Sequence, residues 1–289
     1  MAFTARIETA LRASLDQALA GPVPPLLAAA LEHAVFPGGA RVRPSLLLAV
    51  ACACGDDVPE LADAAACAVE FLHCASLVHD DLPCFDDADL RRGLPSVHRQ
   101  FGVPTALLAG DALIVLAFET IAKAGAAQPR RLAALLTAVA RGVGAPSGIV
   151  AGQAWEQETH LEWEAYHTAK TGALFMASTM AGAIAAGADP GPWRALGDRL
   201  GAAYQVADDL LDAIASEEES GKSSGRDVAL CRPSAVRELG LQGAADRLDA
   251  LVAEAAASVP ACPGAKVLRE IVRMQAARLV PKQLARSAA

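Results

Sequence analysis

Apolar residues recur at spacings of three and four along almost the whole of this 289-residue chain, and alternating β-branched runs are almost absent. That period belongs to helices that turn one face to a core. No strand–helix–strand alternation competes with it. The pattern predicts helices over roughly 3–20, 24–36, 43–54, 58–82, 103–125, 128–143, 147–159, 162–187, 190–216, 241–258 and 264–278, with no strong strand. Prolines such as Pro24, Pro59, Pro104 and Pro129 fall in the gaps or first turns, where a missing N–H costs nothing. The one low-hydrophobicity stretch, SEEESGKSSGRD at 216–227, is too short for a domain boundary and reads as a loop. The expectation is a single all-α domain over 1–289.

Alanine and leucine supply most of a 53% hydrophobic composition, and aromatics are scarce at 4%. Small residues let helices pack closely and let a bundle enclose a long narrow cavity. A net charge of −8 argues against a nucleic-acid partner. The seven cysteines include no CxxC pair and read as reduced, packed thiols. No uninterrupted apolar run reaches the roughly 18–20 residues of a membrane span. The N-terminus carries Glu8 and Asp16 inside an amphipathic pattern, unlike a secretory signal. A cytoplasmic protein without a membrane span is expected.

The stretch HDDLPCFDDADLRRG, 79–93, gathers five aspartates between Asp80 and Asp89 and then two arginines. Pro83 should stop the preceding helix, leaving Asp80 and Asp81 at its C-terminal end, the worse terminus for an anion. Such crowding repels itself unless cations intervene. A second acidic patch lies in AYQVADDLLDA, 203–213, where Asp208 and Asp212 share one helix face among apolar neighbours. One acidic patch is usually a solvated face; two on apolar helices point to metal. Mg²⁺ takes oxygen ligands, commonly one or two carboxylates with waters and substrate phosphates. Two such patches clamp a diphosphate, with Arg91, Arg92, Lys170 and Lys222 as basic companions, and make it a good leaving group.

The chain resembles the trans-type (E-type) isoprenyl diphosphate synthases, and most of all the bacterial geranylgeranyl diphosphate synthases of carotenoid pathways. The resemblance rests on motifs in order over nearly the whole length: FPGGARVRP (36–44), EFLHCASLVHDDLPCFDDADLRRG (70–93), AGDAL (109–113), GQAWE (152–156), YHTAKTGALF (166–175), YQVADDLLD (204–212) and GKSSGRD (221–227). It implies the isoprenoid synthase fold, a helical bundle around a central elongated cavity with the acidic motifs facing each other, and a homodimer. It implies metal binding by Asp80, Asp86 and Asp208, with Asp81 and Asp212 close behind, and three Mg²⁺ ions per site. Arg91, Lys170, Thr171, Gln205 and Lys222 match positions that bind the allylic diphosphate, whether dimethylallyl, geranyl or farnesyl. Arg43, His73 and Arg92 match positions that bind isopentenyl diphosphate. The implied reaction is ionisation, condensation and elimination, with Lys170, Thr171 and Gln205 flanking the developing cation.

The chain departs from the family pattern at several points. GGKRxRP reads GGARVRP, so Ala40 stands where a lysine is expected, and Arg41 is expected to compensate in part. RRGKP reads RRGLP at Leu94, and the usual aspartate after GQ is Glu156. Product length resembles a ruler set by the helix that ends at Asp80. Ala75 and Ser76 are small and let a tail pass, and Leu72, one turn further, is expected to form part of a floor for twenty carbons. His79 is expected to be structural, His98 and His167 to lie at the surface, and Trp155 and Trp163 to be packing anchors. The rival readings are a farnesyl diphosphate synthase, a class I terpene cyclase and a non-catalytic modulatory subunit. A cyclase usually lacks the arginine pair and the isopentenyl site, and a modulatory subunit tends to lose an aspartate motif.

Overall fold

The computed structural model describes residues 3–160, 162–214 and 234–277. The helices are α1 (Thr4–Ala18), α2 (Pro25–Val35), α3 (Val42–Cys54), α4 (Pro59–Asp80), α5 (Val97–Phe101), α6 (Val103–Gly125), α7 (Pro129–Val143), α8 (Ile149–Trp155), α9 (Trp163–His167), α10 (Ala173–Ala185), α11 (Arg194–Ile214), α12 (Ala235–Ala257) and α13 (Ala265–Ala277). A π-helical turn, Thr168–Gly172, joins α9 to α10, and a short 3₁₀ turn, Gly191–Trp193, precedes α11. The only strands among the described residues are β1 (Leu90–Arg91) and β2 (Leu94–Pro95), a minimal antiparallel hairpin. The all-α expectation holds.

The chain divides into two compact units. The first takes the described residues of Met1–Ala140 with Ala181–Asp189, and α4 is its axis. Pro59 starts that helix and Glu60 lies in its first turn, where the dipole favours an anion. From Ala64 to Leu72 every residue is buried. Large side chains such as Phe71, Leu72, Leu47 and Leu61 are almost fully enclosed, each contributing about 1.5–3 kcal/mol. Close approach needs small residues: a Cβ on Gly110 of α6 would lie 2.1 Å from His79 Nε2, and one on Gly182 would lie 2.4 Å from the Leu47 carbonyl.

The second unit takes the described residues of Arg141–Met180 with Pro190–Ala289. There Ala203, Val206, Ala207 and Leu210 of α11 pack on Ala244, Leu248 and Leu251 of α12. A Cβ on Gly197 would meet the Met176 backbone at 2.4 Å, and one on Gly201 the Gly172 Cα at 2.7 Å. So α11 rides directly on the backbone of the π turn and α10.

Several expected boundaries shift for local reasons. The 58–82 helix ends at Asp80, three residues ahead of Pro83. The 147–159 helix stops at Trp155. The 241–258 helix starts at Ala235, where Ser234 accepts from Val236 N at 3.3 Å, and breaks at Gly240 with φ 71°. Both α4 and α6 have the length and hydropathy of membrane-crossing helices, although neither is an uninterrupted apolar run. In α4 that apolarity is core; in α6 much of it faces outward, at Val103, Leu107, Leu108 and Val115.

Candidate active site

The loop after α4 folds back on the helix end. Asp86 N donates to the Asp80 carbonyl at 2.9 Å, Ala88 N to that of Asp81 at 3.1 Å, and Asp87 N to that of Leu82 at 3.0 Å. These bonds satisfy carbonyls that a helix C-terminus leaves open, and they set Asp86 beside Asp80. The remaining aspartates are shared out. Asp87 and Asp89 take Arg99 at 3.2 and 2.7 Å. Asp81 is buried and receives two N–H groups of Arg91. Burial lifts its pKa, and Arg91 pulls against that rise. The crowding that looked unstable in the sequence is thus sorted residue by residue.

The hairpin that carries Arg91 and Arg92 turns through Arg92 (φ 56°) and Gly93 (φ 78°), two left-handed residues as a tight two-residue hairpin requires. Arg91 points back to Asp81, while Arg92 reaches the Gly38 carbonyl. The Arg92 guanidinium lies against Gly39, where an added Cβ would be 2.8 Å from its central carbon. The double glycine of the 36–44 motif is therefore a seat for Arg92. His73, half-buried on α4, is held neutral: burial lowers its pKa most, followed by the positive charges of Arg43, Arg92, Arg91 and Arg41. Such a gathering of positive charge suits an anion.

Arg41 does not replace the missing lysine at Ala40. Its guanidinium is turned inward, donating to Glu70 at 2.6 Å, Glu8 at 2.8 Å and the Val35 carbonyl at 2.7 Å. Ala40 itself is exposed. His98 is buried rather than at the surface, with Nδ1 3.0 Å from Ser96 Oγ. His79 is half-buried with Nε2 3.3 Å from the Leu107 carbonyl, and His167 stacks on Trp163.

Along α4 the residues that keep open surface in the last two turns are His73, Ser76, Leu77, His79 and Asp80, while Ala75 and Leu72 are 1% exposed. Ser76 Oγ donates to the His73 carbonyl at 2.8 Å. Positions 73, 76, 77 and 80 form one helix face leading to the acidic end. Leu72 and Val69 continue that face one turn below it and are closed off.

In the second unit the π turn presents Lys170 and Thr171 together. Such turns insert one residue into a helix and recur at functional sites. Lys170 Nζ is 2.5 Å from Glu156 Oε1, which also accepts from Tyr166 OH at 2.6 Å; Gln153 Nε2 donates to the other oxygen at 3.1 Å. Thr171 Oγ1 donates to Gln205 Oε1 at 2.9 Å, and Gln205 Nε2 to Asp209 Oδ1 at 3.2 Å. The other oxygen of Asp209 accepts from Ala235 N at 2.7 Å. Asp209 therefore tethers the start of α12, whereas Asp208 and Asp212 share a different face of α11. Asp212 is exposed and Asp208 half-buried. Lys222 lies outside the described residues.

Sequence reading missed the work of Glu156, Tyr166, Asp209 and Glu70. The order GQAWE…YHTAKTG contained the first two, but nothing in it indicates that all three contacts converge on one carboxylate.

Among the described residues no three His, Cys, Asp or Glu side chains close on a point that would hold an ion unaided. The donors are hard carboxylate oxygens, and the Asp86 backbone is bonded directly to that of Asp80. That donor set fits Mg²⁺ sharing its shell with a phosphate, not a closed protein cage.

Residues 24–271 match the Polyprenyl synthetase family, and the chain belongs to it. It is 56% identical over 285 residues to the geranylgeranyl diphosphate synthase of Cereibacter sphaeroides, covering 99% of both chains. It is 52% identical to the enzyme of that name from Rhodobacter capsulatus, covering 97% of both. Among solved structures, a Helicobacter pylori geranyltransferase complexed with magnesium and isoprenyl diphosphate is 30% identical, covers 94% of this chain and 96% of its own, and superposes with a TM-score of 0.77. The fold is that of the isoprenoid synthases.

Proposed function

We propose that the protein extends an allylic diphosphate with isopentenyl diphosphate and releases geranylgeranyl diphosphate. The observation that carries this reading is the group of arginines around the neutral His73, beside a separate acidic centre. Elongation binds two diphosphates at once, one for ionisation and one for the attacking alkene. A terpene cyclase needs only the first. A modulatory subunit needs neither, and the acidic motifs here are both intact. Identity of 56% to a geranylgeranyl diphosphate synthase supports the twenty-carbon product over a farnesyl one.

Asp80, Asp86 and Asp208 would hold Mg²⁺, three ions per site, with Asp81 and Asp212 beside them. When bound, the ions neutralise the charge that builds on the departing diphosphate. Lys170, Arg91 and Lys222 take the allylic diphosphate oxygens, and Lys170 does so by exchanging Glu156 for phosphate. The allylic C–O bond breaks and its electron pair leaves with diphosphate. The alkene of isopentenyl diphosphate, held by Arg43, His73 and Arg92, forms the new C–C bond, and the resulting cation loses a proton to the released diphosphate. Thr171 and Gln205 turn oxygen lone pairs toward the cation, and the apolar walls keep water from quenching it.

We place the enzyme in the cytoplasm as a homodimer, with carotenoid biosynthesis as the use the resemblance points to. The outward apolar residues of α6, Val103, Leu107, Leu108 and Val115, favour a second copy as their cover.

The test is a product assay with Mg²⁺ and labelled isopentenyl diphosphate, offered separately with dimethylallyl, geranyl and farnesyl diphosphates. Geranylgeraniol after dephosphorylation from all three is expected. Farnesol as the end product would overturn the chain length, and no incorporation would overturn the elongase.

A further inference from the structure

Arg41 is the most enclosed charge in the first unit, its side chain 0% exposed. It ends the 36–41 segment between α2 and α3, with its own backbone left-handed at φ 47°. Its guanidinium ties three elements together: Glu8 on α1, Glu70 on α4 and the Val35 carbonyl at the end of α2. Glu70 and His73 stand three residues apart on α4, so they share a face. The segment pinned to Glu70 carries Gly38 and Gly39, the seat of Arg92, and leads directly into Arg43 in the first turn of α3, whose charge acts on His73.

We propose that Arg41 is the positioning residue of the isopentenyl diphosphate site: clamped by Glu70 and Glu8, it fixes the segment so that Arg43 and the Arg92 seat face His73. Arg41 itself touches no substrate. With Ala40 in place of a lysine, the site has one cation fewer on this segment, and accurate placement of the others matters more. The arrangement also makes α1 part of the site, because one of the two carboxylates that hold Arg41 comes from Glu8. The inference rests on reading Arg43, His73 and Arg92 as the isopentenyl diphosphate site.

The experiment measures KM for isopentenyl diphosphate and for geranyl diphosphate separately in Arg43→Ala, Arg41→Lys and Glu8→Gln, with thermal midpoints of each full-length variant. Calorimetric titration with isopentenyl diphosphate gives the affinity apart from turnover. Lysine keeps the charge of Arg41 but loses the fork that spans Glu70, Glu8 and the Val35 carbonyl. Arg41→Lys is expected to raise KM for isopentenyl diphosphate about tenfold, matched by the titration, and KM for geranyl diphosphate less than about twofold. Glu8→Gln leaves the Glu70 bond in place and should give a smaller rise with the same selectivity; it answers the question if Arg41→Lys does not fold. Both KM values rising together with a fallen midpoint, or neither moving, would overturn the proposal. Arg43→Ala without effect would instead overturn the assignment of the site itself.

Discussion

Arg91 and Asp81 are joined through two guanidinium N–H groups, and the aspartate they serve is 2% exposed. An acid of the first aspartate cluster and the first arginine of the pair that follows it are thus partners. Removing Arg91 leaves a buried carboxylate without its counter-charge. Arg91→Ala should destabilise the fold by about 3 kcal/mol, and Asp81→Asn in the same chain should restore part of the loss. Urea unfolding of the two single variants and the double variant measures the coupling; strict additivity would mean the pair contributes nothing.

Ala40 is exposed, and Arg41 beside it is committed to the interior. A lysine at position 40 has room to extend without displacing a packed group. Ala40→Lys should lower KM for isopentenyl diphosphate by about threefold to tenfold, the scale of one added charge-assisted contact. An unchanged KM would show that the segment needs no further cation.

His73 is neutral because burial and the surrounding arginines depress its pKa. The sign follows: the unfolded chain takes up this proton at about pH 6.5 and the folded chain does not, so the His73 contribution is fully present above that pH and is lost as pH falls below it. A bound diphosphate reverses the local field and raises the pKa. Isopentenyl diphosphate binding near pH 6.5 should therefore take up protons, read by calorimetry in buffers of different ionisation enthalpy. His73→Asn should reduce that uptake; equal uptake in both proteins would remove the imidazole from the site.

Ser76 keeps open surface on the face of α4 that leads to Asp80, whereas Ala75 is packed. Ser76→Phe should shift product from twenty carbons toward fifteen with little loss of stability. Ala75→Phe should shorten product too, at an overpacking cost of about 1–3 kcal/mol. Chromatography of the dephosphorylated products together with thermal melts distinguishes the two, and unchanged products from both variants would mean that this face is not the ruler.

The helices were legible because burial imposes the period that the sequence displays, and the acidic motifs were legible because like charge is costly to collect without a purpose. What the sequence could not reveal were pairings across large separations. Arg41 and Glu70 are 29 residues apart, and Arg6 and Asp63 57 apart; only the packed fold makes them neighbours. The hairpin at 90–95 escaped notice because two-residue strands have no period to read. Its signal was RRG, a glycine where a left-handed turn needs one. The fate of Arg41 was misjudged for a related reason: the spacing of charges in a motif does not say which of them face inward.

The π turn at Thr168–Gly172 holds one residue more than a regular helix would need over the same path. Deleting that one residue would let α9 and α10 run on as one ordinary helix over the same path, and the wide turn that presents Lys170 and Thr171 together would close. Phe175 and the backbone that meets Gly197 and Gly201 would keep their facing. The extra residue therefore serves the display of Lys170 and Thr171 rather than the packing of α10 on α11.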